Sequence, residues 1–193
     1  MDIAKIEVHP VSAERLADFL QFFDQEAFPD NPGWQSCYCQ FALVDHAQVQ
    51  WSERTLQQNR QAACARIPAG TMQGLLAYRE GRPVGWCNAA PRTLLDAFAD
   101  EPDPPGHPAT QVGQITCFVV APAQRRSGVA TALLQAACER FRQQGLAIVE
   151  AVTNPDAATD AQSHHGPVAL FQAAGFEHQR DEEDGFIVMR KRL

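Results

Sequence analysis

Lysine is nearly missing: Lys5 and Lys191 are the only two among sixteen basic residues, no basic run occurs, and the formal charge is −7. Nucleic-acid binding needs clustered Lys and Arg, so nucleic acid is not an expected partner. An acidic surface mildly favours cationic partners such as amines, though it mostly reports solubility. No run approaches the ~18 apolar residues of a membrane span. The opening residues MDIAKIEVHP hold no apolar stretch for a signal peptide. The expected location is therefore cytoplasmic, with no membrane partner. Internal repeats are absent. No Gly-Lys-Ser/Thr phosphate loop occurs, and no Gly-x-Gly-x-x-Gly follows an expected strand, so two common nucleotide folds are set aside.

What is present is ordinary globular composition: 193 residues, 45% hydrophobic and 20% charged. That length suits one domain able to bury its own core without staples. The six cysteines, at 37, 39, 64, 87, 117 and 138, need not form a disulfide framework in a chain this large. Cys37 and Cys39 are the pair to weigh for metal. A zinc site would need wider spacing and a second ligand pair such as His164-His165, so no metal is expected.

The element pattern begins with a strand at 3–8. A helix capped by Ser12 follows, with Leu16, Phe19, Leu20, Phe23 and Ala27 on one face, stopped by the Pro29–Gly33 turn. A capping pair Asp45…Gln48 predicts a second helix running to Pro68. Strands at 72–79 and 83–90 form a hairpin through Glu80-Gly81-Arg82, and Leu94–Phe98 makes a short helical turn. The proline-rich stretch Asp100–Thr110 is a surface loop. A strand at 112–120, a helix over 127–143 closed by Gly145, and a near-continuous apolar strand at 146–152 come next. After a loop at 153–166, Pro167 opens a helix ending at Gly175, and strands at 176–180 and 186–192 finish the chain. The expected architecture is a mixed α/β sheet with helices packed on it.

The chemistry concentrates at the turn from Val119 to Thr131, which reads VVAPAQRRSGVAT. A buried strand ends, a proline breaks it, and a helix opens at a small, glycine-containing turn. The first amides of a helix have no partners inside it and carry the positive end of its dipole. Gly128 and Ala130 put no bulk in front of those amides, Arg125 and Arg126 add charge, and Thr131 adds a hydroxyl. Such a turn is a cradle for a pyrophosphate. An ordinary solvated helix start containing arginines is the alternative.

Arg125-x-x-Gly128-x-Ala130, after an apolar strand and before Leu133-Leu134, resembles the coenzyme A signature of the GNAT superfamily of N-acetyltransferases. Gly166–Phe176 resembles that superfamily's late segment of a helix followed by Gly-Phe. The hairpin Glu80–Trp86 resembles the one preceding its coenzyme strand. These matches cover about residues 70–190 in the family's order. The resemblance implies a GNAT-like, mostly antiparallel sheet of about seven strands with helices on both faces and a splayed pair of parallel strands. Residues 1–193 would form one acetyltransferase domain, with 1–70 on the acceptor side and 71–193 forming the hairpin, coenzyme core and closing hairpin.

It further implies acetyl-CoA as cosubstrate. Backbone at Phe118, Val119 and Val120 would bind the pantetheine arm, and Arg125, Arg126, Ser127, Gly128, Val129, Ala130 and Thr131 would take the pyrophosphate. An amine of a small molecule or peptide would attack the thioester directly, and a homodimer is possible by analogy. Two departures stand out. Gln114 occupies the place of a glutamate base, and Phe171 the place of a tyrosine acid. Replacement catalytic candidates are Glu150, His164 and His165. Glu150 interrupts the apolar run, and a carboxylate there needs either a partner or a role. The two histidines lie on the loop before the last helix, where a lone His is often merely solvated. Trp34, Tyr38 and Trp51 are candidate walls of an acceptor pocket, the Asp100–Thr110 loop is a candidate to shape it, and Trp86 is read as core. A non-catalytic acyl-CoA-binding module is the rival reading.

Overall fold

In a computed structural model of the chain, residues 5–159 and 162–193 are described. The strands are β1 (Ile6–Pro10), β2 (Leu75–Arg79), β3 (Arg82–Pro91), β4 (Val112–Val120), β5 (Ile148–Thr153), β6 (Glu177–Asp181) and β7 (Ile187–Arg192). They form one seven-stranded sheet in the order β1-β2-β3-β4-β5-β7-β6. Every neighbouring pair is antiparallel except β4 with β5. The expected class, a mixed and mostly antiparallel sheet flanked by helices, is the one observed. Residues 3–4 of the expected first strand, and 160–161 of the expected loop, lie outside the described residues.

Alternation along the strands divides the core into two layers. Leu76 and Trp86 face α1 (Leu16–Gln21) and α2 (Leu56–Arg66), where they meet Phe19, Phe22, Phe23 and Ile67. Their neighbours Leu75 and Cys87 face the opposite side. There α3 (Val129–Gln143) lays down Leu133, Leu134, Ala137 and Phe141, and α4 (Val168–Ala173) adds Phe171. The period-3.6 stripe read in α3 is thus its buried face.

Two expectations on the acceptor side fail. The first helix winds as a 3-10 turn, then α1, then a π turn over Phe22–Glu26, and Ser12 makes no side-chain cap bond. No helix starts at Asp45, whose Oδ1 accepts from the Ala47 N–H at 2.8 Å in a local turn. The capping box is instead Thr55…Gln58: Gln58 N–H donates to Thr55 Oγ1 at 3.2 Å, and Thr55 N–H to Gln58 Oε1 at 2.9 Å. A reciprocal box satisfies two orphan donors, whereas an Asx turn spends the side chain on its own neighbour.

Candidate functional site

The site begins with a fault in β4. Asn88 of β3 pairs with Cys117 while Ala89 pairs with Ile115, so Thr116 is an extra residue on β4. A bulge bends its strand and increases local twist. The parallel ladder between β4 and β5 ends at Ile115↔Ala151, just before that bulge, although both strands continue. Beyond it, Cys117–Val120 stay on β3 but part from β5, and their outward backbone groups lose ladder partners. Into the opening comes the loop before α4. Thr153 Oγ1 donates to the Gly166 carbonyl, and His165 Nδ1 lies 3.1 Å from the Thr116 carbonyl oxygen.

A cavity of about 900 Å³ runs from this gap to the mouth of α3 and across to the α1–α2 side. At the mouth, Arg126 and Gly128 both hold left-handed backbone, with φ of 57° and 88°. Gly128 is the N-cap of α3, and the helix ladder starts with Ala132 N–H to Gly128 C=O at 3.0 Å. The amides of Val129, Ala130 and Thr131 therefore precede the first intrahelical bond, and the αL turn before them forms a concave nest of N–H groups. A Cβ at Gly128 would meet only Ile6 Cδ1 at 3.9 Å, so the requirement for glycine is conformational. Arg79 braces the turn from β2, donating to Gln124 Oε1 at 2.6 Å and the Ser127 carbonyl at 3.3 Å.

Of the residues expected to hold the coenzyme, Phe118, Val119, Val120, Arg125, Arg126, Gly128, Ala130 and Thr131 line this cavity. Ser127 and Val129 do not. The Ser127 hydroxyl donates to the Gln124 carbonyl at 2.6 Å, and Val129 is buried in the core beneath α3. Arg125 reaches across the mouth and forks Asp30, at 2.5 and 3.2 Å, with Nε on the Val120 carbonyl at 3.3 Å. That guanidinium holds the Asp30 carboxyl below its ordinary range. The segment around Asp30 is thereby strapped over the cavity, where Trp34 meets His164 edge-on at 4.5 Å.

The three catalytic candidates separate. Glu150 is outside the cavity lining and 2% exposed. Its Oε1 accepts from Arg190 Nε and a terminal nitrogen at 2.8 and 2.5 Å, and its Oε2 from Arg92 at 3.3 Å. Both oxygens are spent on guanidinium groups, which makes Glu150 the anchor of a buried ion network and not a base facing substrate. His164 and His165 do line the cavity, their rings tilted at 43° with centroids 3.9 Å apart. A carbonyl only accepts, so His165 carries its proton on Nδ1 and keeps the Nε2 lone pair. Burial, then the neighbouring His164, pulls His165 down to about 4, and it is neutral at pH 7.

On the acceptor side, Trp34 and Trp51 wall the cavity. Tyr38 does not: it is 1% exposed, stacks on Phe23 at 5.6 Å and gives its hydroxyl proton to Asp24. Trp86 is core, at 0% exposure, with Nε1 3.1 Å from Cys39 Sγ. Burial pushes the Cys37 thiol up to about 12, while contact with Cys117 and burial push Cys39 up. Both thiols are therefore protonated at pH 7. Among the described residues no three His, Cys, Asp or Glu side chains gather as a metal site. From the Asp100–Thr110 loop, Glu101 reaches the cavity while pairing with Arg92 at 3.1 Å. Phe171 is fully buried against Phe118 and Phe176.

Sequence reasoning missed Asn88, Thr116, Asp30 and Arg92. A polar residue inside the apolar strand PVGWCNAA was a usable signal for Asn88, of the kind that drew attention to Glu150. Nothing local marks Thr116 as a bulge or Arg92 as the partner of a residue on another strand.

With this geometry in hand, comparison gives a consistent result. A model of the acetyltransferase (GNAT) family matches residues 20–176. A search of curated protein sequences found no match. Among solved structures, the GNAT domain of S. lividans PAT is 17% identical, with a TM-score of 0.62 and coverage of 97% of this chain and 90% of that one. PaiA N-acetyltransferase from Thermoplasma acidophilum, in complex with coenzyme A, is 12% identical with a TM-score of 0.57, covering 98% and 99%. YncA, a putative acetyltransferase from Salmonella typhimurium with its cofactor acetyl-CoA, is 15% identical with a TM-score of 0.56, covering 97% and 94%. At these identities the likeness is one of fold.

Proposed function

The chain belongs to the acetyltransferase (GNAT) family, and from that premise we propose that it is an enzyme moving an acetyl group from acetyl-CoA to an amine of a small molecule or peptide. The observation carrying this reading is the single cavity that joins the nest at the start of α3 to the parted edge of β4. A pyrophosphate suits the first, where helix amides and αL backbone converge. An extended arm ending in a carbonyl suits the second, where strand N–H and C=O groups have lost their ladder.

Bound there, acetyl-CoA supplies an activated thioester carbonyl. The protein's own part is to fix orientation, keep water out and present N–H donors where charge develops. His165 holds the loop against β4, and His164 stands beside it at the cavity. Residues 1–193 work as one domain in this reading, with the first ~70 forming the acceptor wall. Gln114, 1% exposed, and Phe171, 0% exposed, offer no ionisable group, which favours a second reading as a non-catalytic acyl-CoA-binding module.

Calorimetric titration with acetyl-CoA, then thiol release over an amine panel, tests both. Binding with turnover supports the enzyme; binding without turnover supports the module; no binding removes both. Gly128→Ala and Gly128→Glu share the strain of a left-handed residue, so their difference isolates charge. Gly128→Glu should lose coenzyme affinity by at least about tenfold relative to Gly128→Ala, and equal affinities would place the phosphates elsewhere.

A further inference from the structure

Among the described residues, three carboxylates face the cavity: Asp30, Glu101 and Asp184. Asp30 is forked by Arg125, Glu101 is paired with Arg92 at 3.1 Å, and Asp184 sits in the exposed β6–β7 turn, accepting from Phe186 N–H at 3.1 Å. A fourth, Glu150, is closed off by Arg92 and Arg190. Among the described residues these three lining carboxylates are all exposed, and none is buried in the cavity to receive an ammonium group. What the floor offers instead is neutral. Asn88 Oδ1, Gln114 Oε1 and Thr116 Oγ1 are buried without a hydrogen-bond partner, and all three residues line the cavity.

Asn88 and Gln114 are each 1% exposed and lie on adjacent strands, Gln114 being paired with Ala90. Asn88 shares the sheet face of Trp86 and Ala90, the face of α1. Its Nδ2 donates to the Cys39 carbonyl at 3.3 Å, which identifies the oxygen as the unmatched end. Orphaned buried oxygens beside a cavity are costly unless a ligand or water brings donors to them. The walls above are rings: Phe28, Trp34, Phe41, Trp51 and Phe98. Trp34 and Phe41 are 36% and 51% exposed, so part of each ring stays uncovered even though Trp34 meets His164 and Phe41 meets His46 and Trp51.

Building on the acetyltransferase reading, we propose that the acceptor is an arylamine, a primary amine carried on an aromatic ring and uncharged at neutral pH. Its ring packs among the aromatic walls, and its two N–H groups satisfy the oxygens of Asn88 and Gln114, leaving the nitrogen lone pair for the acetyl carbon. The C–N bond forms with that lone pair, and the C–S bond breaks with its electrons going to sulfur. The proton shed by nitrogen passes through water to the thiolate, giving the amide and free thiol. An alkylamine of pKa ~10.4 is neutral in only about one molecule in 2,500 at pH 7. It would have to shed its charge before reaching the floor, since no lining carboxylate among the described residues is buried there to hold it. An arylamine needs no base, and an amide at Gln114 is then the fitting side chain.

The test uses two isomers of nearly equal size, p-toluidine and benzylamine, of which only the second is an ammonium at pH 7. Coenzyme A binding is measured first by calorimetry; its failure would overturn the acetyltransferase reading, and this inference with it. On coenzyme-saturated protein, p-toluidine should quench tryptophan fluorescence at lower concentration than benzylamine. With acetyl-CoA its kcat/KM at pH 7 should be at least about tenfold higher, the worth of the matched N–H contacts. Equal or better use of benzylamine, or coenzyme binding with neither amine accepted, would overturn the arylamine proposal alone.

Gln114→Leu removes an unmatched oxygen at similar volume, so thermal stability should hold or rise while kcat/KM for p-toluidine falls about tenfold. A residue with only a packing role would leave kcat/KM for p-toluidine unchanged. Gln114→Glu should raise benzylamine use relative to p-toluidine, and an unchanged ratio would also count against the proposal.

Discussion

His165 ties the pH dependence of stability to the loop that fills the strand gap. Its Nδ1 is held on the Thr116 carbonyl at 3.1 Å, and burial lowers it from 6.5 to about 4. Between those values the unfolded chain binds a proton that the folded chain does not. Stability therefore falls as pH drops below 6.5 and is full above it. The two-state linkage relation makes the loss about 1.4 kcal/mol at pH 5.5 and about 3 kcal/mol at pH 4. His165→Asn keeps an N–H for Thr116 but does not titrate. Urea unfolding of both proteins at pH 7.5, 5.5 and 4 separates this group from all others, since the carboxylates are common to the pair. The wild type should lose about 3 kcal/mol more than the variant between pH 7.5 and 4. Parallel curves would refute the buried neutral imidazole and the loop anchorage built on it.

Glu150→Ala leaves two guanidinium groups facing each other, Arg92 at 2% and Arg190 at 13% side-chain exposure, and should cost about 3–5 kcal/mol in urea. If Glu150 were instead a base acting on substrate, Glu150→Gln would abolish turnover at unchanged stability. Phe171→Tyr adds a hydroxyl in a fully enclosed ring cluster, so calorimetry should show a loss of about 1–3 kcal/mol and no gain in rate. A faster variant would mean the hydroxyl reaches the cavity. Thr55→Ala removes the α2 capping box and should cost about 1 kcal/mol, whereas Asp45→Ala should cost less.

Much of the fold was readable because its signals are local. The stripe Leu133, Leu134, Ala137 and Phe141, the proline after Val120 and the glycine at 128 each act within a few residues, and the ordered set resembles one family. The second helix was misplaced for the same reason. Two capping pairs, Asp45…Gln48 and Thr55…Gln58, lie close together in sequence, and only the path of the chain over the α1 face decides which of them caps a helix.

From sequence alone came the strand–turn–helix segment, the family and the departures at Gln114 and Phe171, because backbone conformation and periodicity are short-range properties. Tertiary structure decided what each polar residue is for. Glu150 became an anchor because Arg92 arrives from the turn after β3 and Arg190 from β7, and Arg125 became a strap because Asp30 lies across the mouth. Ion pairs and orphaned oxygens depend on which groups meet in space, and the bulge at Thr116 that opens the gap exists only as a mismatch between two strands.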